Sequence, residues 1–180
     1  PRLRAALLKY LPTLESEWTV EGRWTCGAFA GDVFVVGGED GGLGWLDVTE
    51  KRVLATTERH AARVTALTAS VDGAQVVSGA EDGSVLDWNP TTRTVRRKVR
   101  AGGEAVTALV YEPAFAAVTV ADARGAMERY DLAQGRLEAK ASKRDKSASD
   151  VLAAPGGARL FTCSGDGTLL GLSRPARVRL

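Results

Sequence analysis

Histidine is almost absent from this chain of 180 residues: His60 stands alone. A multi-histidine metal centre is therefore excluded. Cysteine is nearly as scarce. Cys26 and Cys163 cannot build a disulfide framework or a four-ligand zinc site, and they fit an intracellular, reducing compartment, cytoplasmic or nuclear. No run of about 18 apolar residues occurs, so no membrane-spanning helix is expected. No signal-peptide pattern follows Pro1, and a start at Pro rather than Met suggests a fragment, a processed chain or an excerpt. What remains is ordinary for a folded domain. Hydrophobic residues make up 44% and charged residues 26% of the chain, which excludes disorder and collagen-like structure. A chain this long buries roughly 70% of its unfolded surface without cross-links.

The net charge of +2 hides an asymmetry. Residues 1–90 carry 8 basic and 13 acidic side chains, and residues 91–180 carry 16 and 9, so the halves stand at −5 and +7. A basic half can mark an acidic-protein or nucleic-acid face; the simpler expectation is that Lys and Arg guard strand edges.

A period of 42 residues organises the chain. Glu39-Asp40-Gly41-Gly42, Glu81-Asp82-Gly83-Ser84, Ala123-Arg124-Gly125-Ala126 and Gly165-Asp166-Gly167-Thr168 align at that spacing. Leu46, Trp88, Tyr130 and Leu172 follow at a fixed offset, each trailed by a polar residue. Upstream, Val64-x-x-Leu67 recurs as Val106-x-x-Leu109. Within the second unit, Val64–Ser70, Ala74–Gly79, Ser84–Asn89 and Thr94–Arg100 read as four strands, separated by Asp-Gly and Asn-Pro turns. A four-stranded unit of about 42 residues is a β-propeller blade. The expectation is thus an all-β chain: residues 1–17 form an N-terminal helix or linker, from the helical spacing of Leu3, Leu7, Tyr10, Leu11 and Leu14, and residues 18–180 form four blades.

The second unit, from His60 through Val64, Leu67, Asp72-Gly73, Ser78-Gly79, Asp82-Gly83 and Trp88-Asn89, resembles the WD-repeat family over roughly residues 22–180. That resemblance implies a hydrogen-bonded chain of His60, Ser78, Asp82 and Trp88 inside the blade, and a ring of about seven blades, so four blades are read as part of a larger propeller. The other units depart from the pattern: Leu46 and Val36 in the first, Gly102, Val120, Arg124 and Tyr130 in the third, Leu172 in the fourth. Those blades are expected to hold mainly by apolar packing.

Catalysis finds no support in the sequence. His60, Ser78 and Asp82 form the only set from which a nucleophilic triad could be drawn, and the blade accounts for their spacing. Gly37-Gly38 and Gly41-Gly42-Leu43-Gly44 lack the Gly-Lys-Ser/Thr of a phosphate loop, and Glu39-Asp40 and Glu81-Asp82 lack the ligand spacing of a calcium loop. No cofactor or metal is expected. Cys26 and Cys163 are expected to be small buried strand residues. The resemblance points to a non-catalytic scaffold that binds other protein subunits through rigid loops. Loop position nominates Glu39, Arg59, Arg63, Glu81, Glu104, Arg124, Lys143, Arg144 and Lys146 as contacts. Two alternatives are an RNA-associated propeller, from the basic half, and a quinone-dehydrogenase-like repeat, from Asp40-Gly41-x-Leu43-x-x-Leu46-Asp47 and Tyr130-Asp131-Leu132-x-x-Gly135. On the strand after Trp88, Arg96, Lys98 and Arg100 are expected to share a solvent face.

Overall fold

The computed structural model describes residues 20–47, 50, 52–55, 58–141, 148–154, 159–164 and 167–173. The expected helix in residues 1–17 and the basic loop around Lys143 lie outside them. The described chain forms four antiparallel sheets, each built from strands consecutive in sequence. Blade one comprises β1 (Trp24–Ala30), β2 (Val33–Gly38), β3 (Leu43–Asp47) and β4 (Arg52–Ala55). Blade two comprises β5 (Val64–Ala69), β6 (Val76–Ala80), β7 (Ser84–Asn89) and β8 (Thr94–Ala101). Blade three comprises β9 (Val106–Glu112), β10 (Ala117–Asp122), β11 (Met127–Asp131) and β12 (Arg136–Ala141), with a 3-10 turn at Pro113–Phe115 between β9 and β10. In blade four three strands are described, β13 (Ala148–Ala153), β14 (Arg159–Ser164) and β15 (Leu169–Ser173).

The 42-residue register holds throughout. Gly41, Gly83, Gly125 and Gly167 sit between the second and third strands of their blades, at φ of 82°, 76°, 75° and 82°. Glycine is needed there because positive φ strains a side chain with a Cβ, and at Gly83 a Cβ would also lie 2.6 Å from the backbone of Gly103 and Glu104. The carboxylate beside the glycine holds the turn. Asp40 accepts from the Gly42 amide at 3.0 Å and Asp82 from the Ser84 amide at 2.9 Å. In blade three Arg124 occupies that position, and Asp122 substitutes for it by accepting from the amides of Arg124 and Ala126.

Successive blades pack face to face. Ala30, Val35, Leu43 and Trp45 of blade one meet Val64, Val76, Leu86 and Trp88 of blade two. Val77, Val85 and Val99 meet Val106, Leu109, Val118 and Tyr130. Ala108, Ala121 and Met127 meet Ala148, Val151 and Leu160. A hydroxyl repeats across the first two seams: Thr25 donates to the Val64 carbonyl and Thr65 to the Val106 carbonyl, at 2.5 and 2.6 Å.

Two expectations are corrected and a third is extended. Blade three adds an ionic network to the apolar packing that joins it to its neighbours. Arg100 reaches over from β8 and pairs with Asp122 and Glu128 at 3.3 and 3.5 Å, Lys140 pairs with Glu128 at 2.7 Å, and the Tyr130 hydroxyl donates to Glu128 at 2.7 Å. Arg100 is thereby withdrawn from the solvent-facing triplet expected on β8, because bulges opposite Val85/Leu86 and Asp87/Trp88 break the alternation. Arg97 likewise crosses to blade three, donating to the Leu132 carbonyl at 2.6 Å. Finally, Cys163 is exposed and only Cys26 is half-buried. Cys163 lies on the face of β14 that no described blade covers, together with Phe161.

Candidate functional site

Blade two contains a buried polar chain whose direction is fixed by its two ends. The Trp88 indole N–H can only donate, and it donates to Ser78 Oγ at 2.7 Å. The Asp82 carboxylate can only accept, and it takes the Ser84 hydroxyl at 2.6 Å. His60 bridges the two serines, with Nε2 2.6 Å from Ser78 Oγ and Nδ1 2.5 Å from Ser84 Oγ. Ser84 has spent its proton on Asp82, so Nδ1–H donates to Ser84, and Ser78 donates to a bare Nε2. The imidazole is therefore neutral with its proton on Nδ1. Burial lowers the pKa of His60 to about 4, against the opposing pull of Asp82. Burial by itself would raise the Asp82 carboxyl, but hydrogen bonds from the Ser84 hydroxyl and amide hold it below its ordinary value. His60, Ser78 and Trp88 are at most 3% exposed, and no reactant could reach them without opening the blade. The chain of hydrogen bonds ties the connection before β5 to β6 and β7 inside the blade.

The expected chain of His60, Ser78, Asp82 and Trp88 omits Ser84, which stands between Asp82 and the imidazole. The signal lay in the residue after the Asp-Gly turn: it is Ser in blade two, but Gly42, Ala126 and Thr168 in the other units.

Above this chain runs a charged ridge. The hairpins between second and third strands lie against the connections between blades on one face. The His60 amide donates to the Gly41 carbonyl, the Glu81 amide to Arg63, the Gly103 amide to Asp82, and the Ala123 amide to Ala105. The ridge brings together six of the nominated residues, Glu39, Arg59, Arg63, Glu81, Glu104 and Arg124. Several are paired: Arg59 with Asp40 and Arg23 with Glu39, both at 3.1 Å, and Arg124 with Glu104 at 2.8 Å. Arg63 and Glu81 stand exposed between them. At the start of the ridge an open cleft of about 580 Å³ is lined by Glu21, Arg23, Trp24, Glu39 and Asp40. Lys143, Arg144 and Lys146 lie outside the described residues. Among the described residues no cluster of three metal-ligating side chains occurs, and no helix is long and apolar enough to cross a membrane.

The WD domain, G-beta repeat family matches residues 51–90. No curated protein matches the chain. Many solved chains share the fold. One is the crystal structure of the computationally designed Ika4 protein, with a TM-score of 0.77 and 24% identity over 89% of this chain and 96% of that one; at such identity the likeness shows the fold alone. The family match covers the blade that holds the His60 chain, and the solved structure shares the fold over 89% of this chain, so residues 51–90 are similar to a WD40 repeat and lie within a run of propeller-like blades.

Proposed function

We propose that the chain is a non-catalytic adaptor that binds other protein subunits through its charged ridge. The WD40 match supports a protein-interaction scaffold in general terms. The more specific reading is carried by one observation: the loops bearing Glu39, Arg59, Arg63, Glu81, Glu104 and Arg124 are tied by backbone hydrogen bonds into one ridge. Side chains held on such a base lose little further freedom on docking, which favours binding. The ridge carries charge of both signs, which suits a protein partner with its own mixed charge better than a polyanion. The RNA reading is weakened further because Arg97 and Arg100 of the basic half are engaged within the fold.

The test is affinity purification of the intact chain beside an Arg63→Glu, Glu81→Arg variant. The expected result is a protein that co-purifies stoichiometrically with the first and is lost from the second, while the thermal midpoint is unchanged. Retention that ignores the substitutions, or that vanishes on nuclease treatment, would remove the ridge as the binding surface.

A further inference from the structure

Asp87 is a buried carboxylate that the fold leaves half-satisfied. It lies on β7, fully buried, opposite Val77 in the row of side chains that faces blade three. Oδ1 accepts from Gln75 Nε2 at 2.7 Å, and the Arg96 guanidinium stands off from it at 3.7 Å. Oδ2 has no hydrogen-bond partner among the described residues. A buried carboxylate oxygen without a donor costs free energy, and here a second donor is at hand but turned away.

That donor is Arg97, the residue directly opposite Asp87 on β8. Residues opposite each other on antiparallel strands share a face, with Cβ atoms about 5 Å apart, well within reach of a guanidinium. Arg97 instead crosses the seam and donates to the Leu132 carbonyl at 2.6 Å. The crossing depends on Gly135, where a Cβ would lie 2.4 Å from Arg97 Cδ. The turn itself does not demand glycine. Arg93 holds the equivalent place in blade two, 42 residues earlier, at φ of 58° against 66° for Gly135. The missing Cβ at Gly135 therefore serves the passage of Arg97.

We propose that Arg97 is a two-position latch at the end of this seam away from the ridge, closed when it reaches across to Leu132 and open when it folds back onto Asp87 Oδ2. Closed, the seam gains a bond between blades and Oδ2 stays bare. Open, the carboxylate is completed and the Leu132 carbonyl turns to water. Each position satisfies one acceptor at the other's expense, so neither is favoured outright and both are populated. Thr65 and Arg100 tie the rest of the seam, so opening frees the turn after β11 without parting the blades. That turn and the ridge hairpins lie at opposite ends of the strands, which leaves the proposed partner contacts undisturbed.

The experiment is NMR relaxation dispersion on the 180-residue chain, with the variants Asp87→Asn and Gly135→Ala. In the wild-type chain the amides of residues 132–135 should show exchange on the microsecond-to-millisecond scale. Asp87→Asn should abolish it, because Asn keeps the bond from Gln75 but offers Arg97 no charge. Urea denaturation gives a second readout. In the wild-type background Asp87→Asn should raise the midpoint, since it removes a buried charge that lacks a donor. Gly135→Ala evicts Arg97 from Leu132, and in that background the same change should lower the midpoint, since Asp87 is then the partner of Arg97. Should Gly135→Ala fail to fold, the dispersion comparison decides alone. No exchange in the wild-type chain, or exchange that persists in Asp87→Asn, would overturn the proposal. So would an effect of Asp87→Asn with the same sign in both backgrounds.

Discussion

At His60 a single proton separates a stable blade from a strained one. Protonating Nε2 would set a second donor against Ser78, which already accepts from Trp88, inside a site closed to water. Hence the folded state holds this histidine near pKa 4, against 6.5 for the ordinary group. The folded pKa is the lower one, so the unfolded chain binds the proton first as pH falls. Stability from this residue is complete above pH 6.5, declines between 6.5 and 4, and changes no further below that. The loss should be on the order of 3 kcal/mol, seen as a falling urea midpoint across that window. A His60→Gln variant should show a lower but flat midpoint there; an equally sloping variant would assign the effect to carboxylates. Trp88→Ala removes a fully buried indole and should cost about 3–5 kcal/mol in chemical denaturation. Tolerance of that change would mean that the chain from Trp88 to Asp82 contributes little.

At the scale of the strand and its seam, size matching is what lets blades approach. Gly79 on β6 faces Val106 on β9, and an added Cβ would sit 2.5 Å from the valine's Cγ1. Gly79→Ala should therefore destabilise by about 1–3 kcal/mol through overpacking. Val106→Ala should cost about 2 kcal/mol through the cavity it leaves. Together they should cost less than the sum, because the alanine Cβ moves into the space the valine vacates; strict additivity in the double-mutant cycle would show that the two do not share the seam. Such pairs mark the boundary of what the sequence makes legible. The period, the turn glycines and the strand order are local, and each follows from residues within one blade. The bond from Arg100 to Asp122 and Glu128 is not local. Its two ends belong to different units, and its direction depends on bulges opposite β7 that no alternation pattern announces. The expected solvent-facing triplet on β8 failed for that reason. Ser84 was missed differently: a small polar residue after a turn has many uses, and only the position of the imidazole shows which one applies.

Across the whole molecule the blades form a one-dimensional array in which each sheet leans on its neighbours, so stability follows the quality of each seam. The seam between blades two and three is the most heavily tied. It joins Thr65 to Val106, Arg97 to Leu132 and Arg100 to Asp122 and Glu128, and the Tyr130 hydroxyl is held protonated by burial and by its bond to Glu128. The seam between blades three and four is thinner. Ala121 meets Ala148 there, and the Thr107 hydroxyl, equivalent to Thr25 and Thr65, is buried without a partner among the described residues. Among the described residues blade four packs against one blade, blade three. It should therefore open by itself at a cost well below that of global unfolding, while blades two and three open only when the whole array does. In native-state hydrogen exchange, amides of β13 and β14 should exchange at least about 10-fold faster than those of β6 and β10, a gap of about 1.4 kcal/mol. Arg100→Ala should then speed exchange on β10 and β11 and bring them towards blade four, because it leaves the buried carboxylates of Asp122 and Glu128 without their guanidinium. Uniform protection over all four blades, unmoved by that substitution, would show that the array unfolds as one unit and that the ionic tie does not set the order in which the blades separate.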